Sequence, residues 1–283
     1  MPWLEKIVDC GNVKFVKRYF SSRYGQNRQY YRSSAENTTT EAQEKINDKI
    51  KVERFSILAN ANFVEDDYFL TFTYRRENRP ASVEEAKDQW TKFLRKLRAQ
   101  YKKEGAELKY LWCLEYKNAV YHFHMLCNNA VNSKVFRKLW DFGSVHIENL
   151  DGRDYHSVGE YMMKEQYLDK PEKTKSRRCY GSSKNLYRPE PEIKVLDGDN
   201  WNEQPEPDAG YQIDNESVEN GFITIEDIGV DFRYQFYREI KLTSEQILEQ
   251  LKEHNPFTRF TVKTPRETLL RELVLLKGGE YCE

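Results

Sequence analysis

Residues 110–126 read YLWCLEYKNAVYHFHML, two strand-length runs around a short polar break at Lys117-Asn118. Aromatic and branched residues flank that break, which predicts a β-hairpin. Side chains alternate along a strand, so His122 and His124 project from one face while Tyr121, Phe123 and Met125 project from the other. With Lys117 and Asn118 as the turn, facing residue numbers sum to 235, which sets Cys113 opposite His122 and Leu111 opposite His124. Glu115 then shares the histidine face and sits diagonal to His122, roughly 7–8 Å away across the strands. Trp112 and Leu114 join Phe123 and Met125 on an apolar face for helices to cover.

Outward from this hairpin the periodicities are clear. Upstream, 68–74 (YFLTFTY) is a strand by composition. Ser82 begins a helix with Glu85 three positions on, a capping box. Its stripe of Ala86, Trp90, Phe93, Leu94, Leu97 and Tyr101 keeps helical spacing to about residue 104. Downstream come a helix at 132–140, a strand at 144–150 and a helix at 154–167. The order β-α-β-β-α-β-α predicts an α+β fold of the ferredoxin-like (RRM-like) kind, an antiparallel sheet with helices packed on one face. A further helix is expected at 40–59, after a polar arm at 20–40. Past 190 the reading is an acidic linker at 187–210, strands within 222–237, and short helices at 243–253 and 265–276. Three regions follow: 1–57, a basic N-terminal arm and helix; 58–190, the sheet domain; 191–283, an acidic linker and small C-terminal region.

Charge is segregated. The 283 residues carry 45 Lys+Arg against 46 Asp+Glu, a net of -1. Residues 189–230 hold twelve acids and one base, Lys194, so the other 241 residues carry +10. A basic body with an acidic appendage points to a polyanionic partner for the body. Aromatic residues reach 14%, which excludes a disordered polar chain. No run of about 18 apolar residues exists, so no membrane span is expected, and the first residues lack a signal-peptide pattern. Five scattered cysteines without a CxxC pair argue against a disulfide framework and fit a reducing cytosol. No phosphate loop of the GxxxxGK[ST] type is present, so no ATPase or helicase is readable.

Two imidazoles at i and i+2 with a carboxylate on the same face form a donor set for one divalent cation. Mg²⁺ or Mn²⁺ suits phosphate oxygens, and the imidazoles shift the preference toward Mn²⁺. Tyr161 and Lys164 stand three apart on the expected last helix and so address one side of it. A phenol is a weak nucleophile at neutral pH, with a reference pKa of about 10. A metal polarising a phosphate would make its attack feasible, and Lys164 could hold a phosphate oxygen.

Taken in order, Phe69-Leu-Thr-Phe-Thr73, Glu115 with His122-Phe-His124, and Tyr161-x-x-Lys164 resemble the three motifs of the HUH endonuclease superfamily. The flanking text narrows the likeness. Asn62-Phe63, Asp66-Asp67, 109–115 (KYLWCLE), Trp140-Asp-Phe-Gly143 and Ser182-Ser183-Lys-Asn185-Leu186 are similar to rolling-circle replication initiators, the Rep proteins of phages and plasmids. The resemblance spans about 40–190.

The resemblance implies an HUH endonuclease domain at 58–190. Tyr161 would attack an origin phosphodiester in single-stranded DNA, giving a 5′-phosphotyrosine and a free 3′-OH, with later rejoining. Glu115, His122 and His124 would hold Mn²⁺ or Mg²⁺, and Lys164 would position the phosphate. Tyr155, Tyr167 and Tyr180 lie near enough in sequence to share the nucleophile's role. The run containing Lys173, Lys175, Arg177 and Arg178, with Tyr180 and Lys184 after it, supplies cations and stacking rings for a single strand. Unwinding would fall to a host helicase in trans, in the cytoplasm of a bacterial host. Two other readings stand beside this one: a transposase- or relaxase-type nickase, which motif order disfavours, and a non-catalytic RRM-like nucleic-acid-binding module.

Overall fold

The computed structural model of the chain describes residues 2–22, 24–25, 41–117, 120–164, 180–225 and 230–253. These residues form two compact units, one built from 35–188 and the other from 1–34 together with 189–283. That division differs from three consecutive regions cut at 57 and 190.

In the unit 35–188, α1 (Glu41–Asn60) precedes β3 (Tyr68–Tyr74), α2 (Val83–Lys103), β4 (Tyr110–Lys117), β5 (Val120–Cys127), α3 (Lys134–Leu139), β6 (Gly143–Asn149), α4 (His156–Lys164) and β7 (Tyr180–Ser182). The sheet order is β6-β3-β5-β4-β7, with every pairing antiparallel. The four strands β6-β3-β5-β4 are the split βαβ arrangement, with β7 added at the edge. The protein is thus α+β, with a ferredoxin-like antiparallel sheet and extensions at both ends.

Local chemistry sets the elements where their patterns fall. The Ser82 hydroxyl accepts the Glu85 N–H at 3.2 Å, and the Glu85 carboxylate reaches back to the Ala81 N–H at 2.7 Å. The hydroxyl half of a capping box thereby starts α2, while the Glu85 carboxylate holds the N–H one residue before the cap. Every residue of the predicted stripe, from Ala86 to Tyr101, is buried. Trp90 lies flat on Phe123, with ring centroids 4.3 Å apart and 3° between planes. Leu70, Phe72, Phe123 and Met125 close this first core against α2 and α3. Replacing Ser82 with Ala removes one cap bond and should cost about 1 kcal/mol in a urea melt, with no effect on the opposite face of the sheet.

Helices cover both faces of this sheet, not one. Phe55, Leu58 and Ala59 of α1 and Met162 and Met163 of α4 pack with Leu111, Cys113 and Leu126 in a second core on the histidine face. The reason is in the strands: Leu111, Cys113 and Leu126 put apolar side chains on that face, and they need cover.

The hairpin register also departs from expectation. Glu115 stands opposite His122, Cys113 opposite His124, and Lys117 opposite Val120, so facing numbers sum to 237. β4 runs one residue further than expected and β5 begins one residue later, so residues 118 and 119 stand between them. A slip of two positions keeps every side chain on its face, so Glu115 remains with the histidines but moves from diagonal to directly across from His122.

The other unit is a sheet of β1 (Trp3–Asp9), β2 (Val13–Phe20), β8 (Glu192–Leu196), β9 (Tyr211–Ile213), β10 (Glu219–Ile225) and β11 (Val230–Lys241). Its order is β10-β11-β2-β1-β8, with β9 also paired to β11. Residues 3–20, expected as part of a basic arm, are a hairpin turned at Gly11 (φ +90), with Val13, Phe15 and Val16 buried. The expected linker contains an edge strand, β8, and the acidic stretch continues into β9 and β10. Strands were expected at 222–237 and a helix at 243–253; the latter is α5 (Ser244–Glu253). The helix expected at 265–276 and most of the 20–40 arm lie outside the described residues. Among the described residues no helix is long and apolar enough to cross a membrane.

Candidate active site

The histidine face of the central sheet carries a polar row, produced by the register alone. Glu115 and Cys113 come from β4, His122 and His124 from β5, Thr71 and Thr73 from β3, and Ser144 and His146 from β6. The apolar end of that face is sealed by α1 and α4. The polar end begins where those helices stop covering it.

His124 is the hub. Its ring is buried, only 2% exposed, as is Glu115 at 4%. Its Nε2 lies 2.8 Å from Glu115 Oε2, and its Nδ1 lies 3.1 Å from Thr71 Oγ1. A neutral imidazole has one donor and one acceptor nitrogen. Nε2–H donating to the carboxylate, with Nδ1 accepting from the threonine hydroxyl, satisfies both contacts. The ring is thus held from two sides by groups on its two neighbouring strands. His122 is half-buried one position beyond, cross-strand from Glu115 and Thr73.

Tyr161, on α4, meets this hub from above. Its ring is set edge-on to His124, with centroids 5.2 Å apart at 82°. Phe69 completes a triangle, 6.3 Å from Tyr161 and 6.1 Å from His124. Tyr161 is 42% exposed, so its phenol sits at the rim of the face and accessible to a ligand from solvent. One residue from each of the three motif segments therefore converges here. Lys164 is the last residue of α4, three positions beyond Tyr161.

The neighbouring tyrosines differ in kind. Tyr155 is 2% exposed within the second core, and burial drives its hydroxyl well above the ordinary phenol range. That environment disfavours a phenolate and closes access to a large substrate. Tyr180 packs edge-on to Phe55 from β7, and Tyr167 lies outside the described residues. Lys184 is exposed at the turn after β7. Lys173, Lys175, Arg177 and Arg178 lie outside the described residues. Among the described residues, no group of three or more His, Cys, Asp or Glu side chains stands in a geometry ready to hold a metal ion.

The flanking motif residues have structural work. Asp67 accepts the Val64 N–H at 2.9 Å and the Asn129 N–H at 2.7 Å, tying the entry of β3 to the exit of β5. Burial raises its carboxyl above the usual range, against those two bonds. Asn62 donates to Tyr187 O at 2.8 Å and accepts the Tyr187 N–H at 2.7 Å. Ser183 accepts the Tyr110 N–H at 3.1 Å, which pins β7 beside β4. At Gly143 a Cβ would lie 1.8 Å from Thr73 O, so only glycine lets β6 approach β3 there.

Residues 67–170 match the model of a family described as replication-associated protein ORF2/G2P. Over that stretch, about a third of its length, the chain is similar to replication-associated proteins of the rolling-circle Rep type. The match begins at the first residue before β3 and extends past α4, so it takes in every motif segment of the site. It does not extend to α1, β7 or the second unit. No curated protein and no solved structure matches the chain. Sequence reasoning gave no role to Thr71, although it sits inside the first motif. Its place opposite His124 became visible only with the β3–β5 register.

Proposed function

We propose that the chain is a rolling-circle replication initiator that nicks single-stranded origin DNA through Tyr161. The observation that carries the reading is the setting of Tyr161: a partly exposed phenol, edge-on to a buried imidazole, on the face that also bears Glu115 and His122. In the reaction the Tyr161 oxygen bonds to a phosphorus of the origin strand. The bond from phosphorus to the 3′ oxygen breaks, and the phenol proton ends on that oxygen. The products are a 5′-phosphotyrosine and a free 3′-OH, and the reverse exchange rejoins a strand because the phosphoester bond is conserved.

The donor chemistry suits a divalent cation, Mn²⁺ or Mg²⁺, held by Glu115, His122 and His124; when bound, it would polarise the scissile phosphate. Binding asks for a specific change in His124. With its proton moved to Nδ1 and donated to Thr71 Oγ1, Nε2 presents a lone pair beside the Glu115 carboxylate. The residues needed for that switch are already in contact. Lys164, Lys184 and the basic run 173–178 supply charge for the phosphates of the single strand. Strand separation falls to a host helicase acting in trans.

The experiment is a denaturing gel of the full chain incubated with 3′-end-labelled single-stranded origin DNA and Mn²⁺. A label that migrates with the protein after boiling in detergent is the expected result, and EDTA should remove it. Cleavage that persists undiminished in EDTA would leave the cation without a part. Retarded DNA with no covalent product under any condition would favour a non-catalytic binding module.

A further inference from the structure

We infer that α1, which lies outside the family match, is part of the nicking apparatus: its contact with Gly159 sets where the Tyr161 hydroxyl stands. This rests on the nickase reading and adds a positioning element to it.

Gly159 is buried against α1, two residues before Tyr161. A Cβ at that position would lie 2.5 Å from Ser56 Oγ, 3.3 Å from Phe55 Cδ1 and 3.6 Å from Val52 O. The glycine's backbone is not in the left-handed region, so its requirement is proximity: α4 approaches α1 more closely than any side chain permits. Ser56 cannot simply turn away without loss, since its hydroxyl donates to Val52 O at 2.8 Å and stands 3.3 Å from His156 Nδ1.

A second device fixes the start of the same helix. Asn60, at the end of α1, donates to Ser56 O at 3.0 Å and to Asp154 Oδ1 at 3.2 Å. Its own Oδ1 accepts the Tyr155 N–H at 3.1 Å, and Asp154 Oδ1 accepts the His156 N–H at 3.0 Å. One amide side chain thus ties the last turn of α1 to the entry of α4. Between the two devices, the height and roll of α4 over the sheet are determined.

Helical geometry carries that constraint to the phenol. Successive residues turn by about 100°, so Tyr161 lies roughly 200° around the axis from Gly159. With Gly159, Met162 and Met163 turned into the packed side, Tyr161 is directed to the rim, against His124. Lifting α4 from α1 by about an ångström would displace the hydroxyl by a similar amount, and a misplacement of that size can cost about 10²-fold in rate.

The test uses the full chain with 3-fluorotyrosine at position 161 and two readouts: the fluorine resonance and the rate of covalent adduct formation on single-stranded DNA with Mn²⁺. Gly159→Ala should move the resonance toward that of a solvent-exposed tyrosine and slow adduct formation about 10²-fold. Melting temperature should fall by a few degrees, as for an overpacked buried contact, with the chain still folded and DNA retention little changed. Adding Ser56→Ala removes the atom 2.5 Å from the new methyl and should return both readouts most of the way. An unmoved resonance in a folded Gly159→Ala chain would overturn the inference, as would a shift that Ser56→Ala fails to reverse. If Gly159→Ala lowers the melting temperature severely, Asn60→Ala probes the second device with the same expected and overturning results. A wild-type chain that forms no adduct would count against the nickase reading alone, because the resonance still judges the positioning.

Discussion

Tyr161→Phe should form no covalent adduct with single-stranded origin DNA. The substitution deletes one oxygen and keeps the ring, so the edge-on contact with His124 and the contact with Phe69 persist. Stability should therefore stay within about 0.5 kcal/mol of wild type, as for other surface changes that leave packing alone. Rate is another matter. Removing the nucleophile from an enzyme that works by covalent catalysis costs on the order of 10⁶-fold, below the detection of a gel assay. Tyr155 offers no substitute, because it is sealed in the second core and its hydroxyl resists ionisation. An adduct of normal yield in Tyr161→Phe would move the nucleophile elsewhere, with Tyr180 the first to examine by peptide mapping.

His122→Ala and His124→Ala should separate cleavage from folding. His122 is half-buried toward the open end of the face, so its loss should leave the melting curve close to wild type while abolishing Mn²⁺-dependent cleavage. DNA retention on a native gel should survive. His124→Ala is expected to do both kinds of damage. It removes the imidazole bonded to a carboxylate only 4% exposed, and losing a hydrogen bond to such a buried charged group costs about 1.5–3 kcal/mol. A urea melt reads that loss directly. Restoration of cleavage in His122→Ala by high Mn²⁺ would indicate weakened cation affinity. Full activity of His122→Ala in ordinary Mn²⁺ would remove this residue from the site.

Much of the unit 35–188 could be read locally. The strand at 68–74 and the stripe from Ala86 to Tyr101 are strong because one periodicity dominates each, and the capping box at Ser82 marks a boundary within a residue. The hairpin was legible as a hairpin, but its register depended on which two residues formed the turn. The error was an even number, so the composition of each face survived while the partner of Glu115 changed. What local pattern could not supply was the cover on the histidine face. Leu111, Cys113 and Leu126 hinted at it, yet nothing near them in sequence names α1 as the element that packs there. The second unit was harder still. In 3–20 the lysines and arginines interrupt the alternation of Val13, Phe15 and Val16, and charge outweighed pattern. Its central pairing joins residues 13–18 to 235–240, a contact no window of neighbouring residues contains. Thr71 and Gly159 were silent for the same reason: a threonine in a strand and a glycine in a helix acquire meaning only from what faces them.

The split layout of that second sheet has a consequence for synthesis. The β1–β2 hairpin leaves the ribosome first, but its neighbours β8 and β11 follow only after the whole unit 35–188 has been made. At about 5–20 residues per second, roughly 200 residues of translation take some 10–40 s. During that interval both flanks of the nascent hairpin stay open, while the domain translated in between has all its strands and can close. The unit 35–188 is thus complete before the flanking sheet exists, and a chain arrested past residue 190 would carry that assembled unit attached to an orphaned pair of strands.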